Sequence, residues 1–417
     1  MKKIFTLLTI LSVTSIFATD RFVDPNLSAG NGTTLFTNIS SAVAAAVNGD
    51  RIIVSSNTYN EATLTISKSL KIIPQTAGTT INFNANIIIA GFPGMKLEIL
   101  GFNLGVYSFS SVSSGNLTDK AKVSIVQCSA INLDLNLTGF ELNSIRNTIS
   151  NQITYKNGSI ILNNVGTIYI SDDGLNNPSI SDKNLIVANT INSLLYVYNN
   201  DNKFIIANNT IGGSLIIKRW NANSGMKNKI INNQFNNLQI LVSAYNVPNY
   251  NLIFSNNTGN VSFYNNNDTS NPFDEQHLDY NSQNAEDVIL YYNYYGSSGN
   301  SARFPNNDVG GIFEWSYNNI LLNHPATSGG QPLSFINTPY PVPGNIIIDA
   351  GNPNHDYYDL DLTINDRGIN GGPYSILNYN PASNPNNSKA FIFDLDIPTD
   401  LFPGQNVNIS AKGYHKN

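Results

Sequence analysis

Three short stretches of this 417-residue chain gather side chains able to do chemistry. In "IYISDDGLNNPSISDKN", Asp172 and Asp173 are adjacent, and Asp182 follows beside Lys183. Paired carboxylates can act as acid and base in glycoside hydrolysis when they stand roughly 5–9.5 Å apart. The same residues suit a solvated loop, where Asp serves turn chemistry. In "KRWNANSGMKNK", Lys218, Arg219, Lys227 and Lys229 make the densest positive charge in the chain, and Trp220 is one of its two tryptophans. An indole face stacks on sugar rings, while Lys and Arg can bind uronate carboxylates. A plain loop between strands explains this segment too, yet of the three it is the best candidate for ligand contact. In "DYYDLDLTINDRG", Asp356, Asp359, Asp361, Asn365 and Asp366 crowd oxygen atoms together. Asp359, Asp361, Asn365 and Asp366 are candidate ligands for Ca2+, a hard cation that takes oxygen donors. Capping of turns and pairing with Arg367 would use the same side chains.

Other chemistry lacks its parts. His277, His324, His355 and His415 are scattered without the spacing of zinc ligands. There is no Gly-x-Ser-x-Gly, no phosphate-cradling Gly loop and no Cys-His pair. Cys128 is the single cysteine, so no internal disulfide can form, and the residue reads as a small apolar core group. The net charge of −6 offers no basic surface to release phosphate counterions, which argues against nucleic acid and against a polybasic membrane contact.

What must position these residues is an unusual chain. Only 12% of residues are charged, about half the globular norm. Asn fills the gap, at about a sixth of all residues. The N-terminal "MKKIFTLLTILSVTSIFATD" has Lys2 and Lys3, an apolar run from Ile4 to Phe17, and Ala18 or Thr19 as a cleavage point, the pattern of a secretory leader. No second hydrophobic segment of membrane length follows. Asn38 or Ser40 can cap a short helix from about Ile39 to Val47, stopping at Asn48-Gly49. Then "GDRIIVSSNTYNEATLTISKSLKIIP" packs three short strands between polar turns, with no Asn-Gly or Asp-Gly to make hairpins.

Downstream, one pattern recurs: "SIRNTISNQITY", "LIVANTINSLLYV", "FIIANNTIGGSLII", "KIINNQFNNLQIL" and "LIFSNNTGNVSFY". Asn147, Asn189, Asn209, Asn233 and Asn257 anchor it, at intervals of 42, 20, 24 and 24, with one further rung in the first gap around "SIILNNVGTIYI". A period of 20–24 marks a solenoid. Leucine-rich repeats share that length but not this Ile, Val and Asn content. The expectation is a parallel β-helix with Ile and Val inward. Corner Asn residues tolerate left-handed backbone, and their amides would bond to the Asn above and below.

The segment "FTNISSAVAAAVNGDRIIVSSNTYNEATLTISKSLKIIP" resembles the opening of right-handed parallel β-helix proteins of the pectin-lyase-like superfold. Gly49, Asp50, Thr58, Tyr59, Asn60 and Glu61 carry that likeness. "YYNYYGSSGNSARFP" and "IIIDAGNPNHDYYDLDLTINDRGINGGPYS" resemble the same group, the latter its Asp-x-Asp-Gly…Asn-Asp-x-Gly closure, with Leu362 in place of the Gly. The resemblance implies an all-β, secreted bacterial solenoid with a helical cap. It does not bring a reaction with it. Polygalacturonase-like members join their Asp pair to Gly-His-Gly and Arg-Ile-Lys, which are missing, and the Ca2+-binding carboxylates of pectate lyases are not recognisable.

The expected organisation is a leader over 1–19, a cap over 20–48, β-helix over 49–300, closing rungs over 301–376, a linker over 377–389 and a β tail over 390–417. The expected function is a secreted or cell-surface, non-catalytic protein that binds a polysaccharide or presents a stiff adhesive face. A lyase or glycoside hydrolase working in a groove along the coil is the alternative. The missing catalytic sets tip the balance toward binding.

Overall fold

A computed structural model describes residues 18–113, 119–171, 183–200, 203–220 and 228–242. Beyond these it describes six short strands between Leu252 and Leu321, parts of 359–375, and the strands Phe391–Asp396 and Ser410–Tyr414.

Hydrophobic alternation builds one wall after another. Arg51–Val54, Lys71–Pro74 and Lys96–Leu100 each bury every second side chain and pair in parallel with the next. The result is a right-handed parallel β-helix with two long walls: among the described residues, sheet A has 14 strands and sheet B 15. A rung reads Phe140–Ile145 in sheet A, Thr148–Tyr155 in sheet B, then Gly158–Ile161 back in sheet A. Parallel register stacks like on like. Ile99, Ile125, Ile160, Ile186 and Ile206 form one buried column, interrupted only by Ser144. Gly158 has a φ of +141°, and a Cβ there would stand 1.9 Å from the Leu142 carbonyl oxygen. Only glycine fits that approach.

Sheet B begins as split strands, such as Ile81–Phe83 and Ile87–Gly91. From Ser129–Leu135 onward the pieces fuse, and the join survives as a column of bulges. The register slips between Ala130 and Asn132, Ile149 and Gln152, and again between Val165 and Thr167. Bulges bend a sheet, and stacked bulges bend every rung at the same place.

The corner between the two sheets is where Asn matters. Asn147, Asn163, Asn189, Asn209 and Asn233 are all buried. Each side-chain oxygen accepts the backbone N–H of the corner residue one rung earlier: Asn147 to Asn163 (2.9 Å), Asn163 to Asn189 (2.9 Å), Asn209 to Asn233 (3.0 Å). Each Nδ2 donates to a carbonyl of the preceding rung, as Asn147 does to Ile125 and Asn189 to Ile160, both at 2.8 Å. The chain turns here, so neighbouring backbones cannot serve these groups, and buried peptide groups need partners. Asn163 supplies the rung expected inside the 42-residue gap.

One expectation needs correcting. The left-handed backbone belongs to the residue before each ladder Asn: Arg146, Leu162, Ala188, Asn208 and Asn232, with φ between 55° and 58°. The ladder side chain must point into the corner, so the preceding residue takes the turn, even where it is Leu or Ala.

The N-terminal end is closed by the helix α1 (Ile39–Ala45), capped by Asn38, whose Oδ1 accepts from Ser41 N–H. It ends earlier than the expected Val47 because Ala46 is already extended. Glu61 accepts from the N–H groups of Ile39 (2.7 Å) and Ser40 (2.8 Å). Phe391–Asp396 and Ser410–Tyr414 form an antiparallel hairpin, the two strands expected near the C-terminus.

Candidate functional site

Because register in sheet B is parallel and the inward set is apolar, its outward side chains form columns parallel to the solenoid axis. One column runs Asn103, Ser129, Thr148, Asn164, Thr190, Thr210. Across the bulge, the next runs Asn132, Gln152, Thr167, Leu194, Ser214. A third runs Asp134, Thr154, Tyr169, Tyr196, Ile216. Among the described side chains of these columns, Asp134 is the only carboxylate and no Lys or Arg occurs.

The polar columns are held in place by their own hydrogen bonds. Asn103 Nδ2 donates to Asn82 Oδ1 (2.9 Å), and Ser129 Oγ donates to Asn103 Oδ1 (2.6 Å). Asn151 in the bulge donates to Asn132 (2.8 Å), and Asn192 donates to Asn164 (3.2 Å). Tyr169 and Tyr196 stack with ring centroids 5.1 Å apart and planes 23° off parallel. Stacked along the axis, the two rings cover one face of each other, so this pair offers edges and phenol groups more than a platform.

Sheet A has the opposite character. Its early strands carry Lys71 against Glu98 (3.2 Å) and Lys122 against Glu141 (3.8 Å). These ion pairs of the solenoid wall thus lie on sheet A, while Asp134 is the one outward charge among the described side chains of the sheet B columns. Further along, sheet A turns apolar on its outer side, with Leu185, Val187, Ala207 and Ile231 buried in one cluster against which Tyr374 packs. Asn208 Nδ2 donates to the carbonyls of Ile369 (2.9 Å) and Gly371 (2.6 Å), so the Gly-Gly-Pro segment braces the outer wall at mid-solenoid. Upstream along the same corner lies an open groove of ≈ 760 Å³, lined by Pro74, Gly101, Gln127, Ser129, Arg146 and Leu162. Ser129 belongs to the first polar column, so groove and neutral face are continuous.

The residues singled out in the sequence fall as follows. Asp172, Asp173, Asp182 and Lys227 lie outside the described residues. Lys218 and Trp220 end the strand Thr210–Trp220, in register with Tyr198 and Asn200 of sheet B. Arg219 lies between them on the same strand. Lys229 lies in Asn228–Ile231, on sheet A, so the basic stretch is divided between two walls. Asp359 accepts a hydrogen bond from Gly372 N–H through Oδ1, holding the closing segment together. Asp361, Asn365 and Asp366 lie outside the described residues, among which no group of three His, Cys, Asp or Glu could hold a metal.

The motif residues near the N-terminus have structural roles. Asp50 is fully buried, and Arg21 Nε (2.8 Å) and Val47 N–H (2.9 Å) donate to its Oδ2. Burial alone would raise its carboxyl, but the Val47 and Thr19 amides and Arg21 outweigh that and hold it below the usual carboxylate range. Tyr59 shares a hydrogen bond with Ser55 Oγ (2.9 Å) in the core. The neutral columns of sheet B were missed in the sequence. They become visible only when register is known, although the repeated "NT" and "NQ" pairs place Thr148, Thr190, Thr210 and Gln234 one residue after each ladder Asn. Comparison with protein-family models, with curated proteins and with solved structures found no match.

Proposed function

We propose that this is an exported, non-catalytic β-helix protein of the pectin-lyase-like kind, whose sheet B binds a neutral polysaccharide lying along the solenoid axis. The observation that carries the reading is the sorting of charge: a wall of Asn, Gln, Ser and Thr beside one that holds the ion pairs. Carboxamides and hydroxyls both donate and accept, as sugar hydroxyls do. Strand spacing of about 4.8 Å repeats these groups at intervals comparable to a sugar unit. Each hydrogen bond contributes only about 1 kcal/mol net, so affinity would come from many rungs acting on one chain. Hydrogen bonds among the side chains themselves reduce the ordering cost on binding. Export is supported by the leader-like N-terminus, and the kinship by the Gly49-to-Glu61 segment, whose residues serve the fold.

The test is retention of purified protein on a panel of neutral and acidic polysaccharides, with polymer length followed in parallel. Retention on a neutral polymer without shortening is expected, weakened at least tenfold by Thr148→Glu with Thr190→Glu. Polymer shortening would replace this reading with the lyase or hydrolase alternative. Unchanged retention in the double variant would move the site off sheet B.

A further inference from the structure

The leader read from the sequence could end at Ala18 or at Thr19, and the fold distinguishes the two. Arg51 N–H donates to the Thr19 carbonyl (3.1 Å), extending the pairing of Asp20–Val23 with Arg51–Val54 by one bond. Thr19 N–H donates to Asp50 Oδ1 (2.8 Å). Asp50 is fully buried, and its other oxygen takes Arg21 and Val47. Ala18, by contrast, is exposed. A cut after Thr19 would delete the first bond of the strand pair and strip a donor from a buried carboxylate, which is costly. A cut after Ala18 keeps both and leaves a small residue at the end of the leader, as signal peptidases require.

The geometry points to processing between Ala18 and Thr19, with the new α-ammonium of Thr19 closing an ion pair on buried Asp50. Water hydrolyses the peptide bond under a signal peptidase. The Ala18 carboxylate leaves with the leader, and the nitrogen that donated as a neutral amide becomes a cation at the same place. Charge-assisted bonds of this kind are roughly twice as strong as neutral ones. The groups facing the new charge are Asp50, Arg21 and the Asp20–Arg51 pair, in which Arg51 Nε donates to Asp20 Oδ1 (2.7 Å). Removal of the leader therefore tightens the N-terminal rung, and the processed chain is more stable than its precursor. This rests on the export reading above.

Two measurements test it. The first is intact mass and N-terminal sequence of the protein recovered after export. Thr19 as first residue is expected. A start at Asp20 or beyond overturns the proposal while leaving export standing, and an uncut chain overturns both. The second uses purified chains beginning at Thr19 or, with Ala18 restored, one residue earlier. The Thr19 amine should titrate above the value of about 8 for a free α-amine, and acylate several-fold more slowly at pH 8. Its folded pKa being raised, the stabilisation is complete below about pH 8 and is lost as pH climbs through the folded value. The chain with Ala18 restored should thus melt a few degrees lower at pH 7, with the gap closing at high pH. An amine that titrates at about 8 in the folded chain, or equal melting of the two chains at pH 7, overturns the ion pair.

Discussion

Asn209 Oδ1 accepts both the backbone N–H of Asn189 (3.0 Å) and its side-chain Nδ2 (2.9 Å), two buried residues twenty apart in sequence but one rung apart in space. Asn209 in turn donates from Nδ2 to the Ile186 carbonyl (2.8 Å). One carboxamide thus satisfies groups on the preceding rung that the turning backbone cannot reach.

Replacing Asn209 by Leu, near in volume, strands the Asn189 N–H and the Ile186 carbonyl in a buried corner. Each orphaned group costs about 1–3 kcal/mol. A loss of about 3 kcal/mol is expected in urea unfolding, with faster amide exchange at Asn189. An unchanged midpoint would mean that the corner finds other partners, and the ladder would lose its role in holding rungs together.

Cys128 stands one rung before Asn147, where an Asn would otherwise be: its N–H donates to Asn147 Oδ1 (2.8 Å), and its Sγ receives Phe102 N–H at 3.4 Å. Burial pushes its thiol up to about 12, against the smaller opposing effect of backbone bonds with Phe102, Val126 and Gly101. The thiol should therefore resist maleimide at pH 8 for as long as the solenoid is folded, reacting at the unfolding rate. Cys128→Ala should cost about 1–2 kcal/mol, since it removes the weak partner of Phe102 N–H. Fast labelling of native protein would contradict the placement.

These residues mark what the sequence makes legible. Asn147, Asn189, Asn209 and Asn233 declare the rung because one side chain does one job at each corner. Asn163 was visible only as a gap, since its rung is short on one side and long on the other. Leu162 and Ala188 gave no sign of their left-handed backbone, because the ladder imposes it against their own preference. The neutral wall is invisible without register: Tyr169 and Tyr196, or Asn164 and Thr190, are neighbours only after a loop whose length varies from rung to rung. The contact of Asn208 with Ile369 and Gly371 spans some 160 residues, and no local pattern announces it.

Acid should act first at the N-terminal end. The Asp50 carboxyl is held below its ordinary value, so its contribution is full above the unfolded pKa near 4 and is lost as pH falls through the folded value. Arg21→Met leaves that buried carboxylate with only the Thr19 and Val47 N–H donors and should cost about 3 kcal/mol at pH 7. Arg51→Met breaks the exposed pair with Asp20 and should cost far less, because water screens that pair. Equal losses in the two variants, measured by urea unfolding at pH 7, would refute the distinction between buried and exposed pairs.

The closing segment offers a separable test, since Asn208 has two independent features. Its backbone lies in the left-handed region at φ 55°, which glycine adopts without strain, while its Nδ2 holds Ile369 and Gly371. Asn208→Gly keeps the first and deletes the second. Its Oδ1 is buried without a hydrogen-bond partner among the described residues, so the substitution also removes an unpaired acceptor. The solenoid should therefore keep its stability to within about 1 kcal/mol. Amides of Gly371, Gly372, Tyr374 and Ser375 should exchange at least tenfold faster, and the apolar strip under Tyr374 should become open to a hydrophobic dye. If exchange in that segment is unchanged while the solenoid itself weakens, Asn208 serves the corner and not the brace.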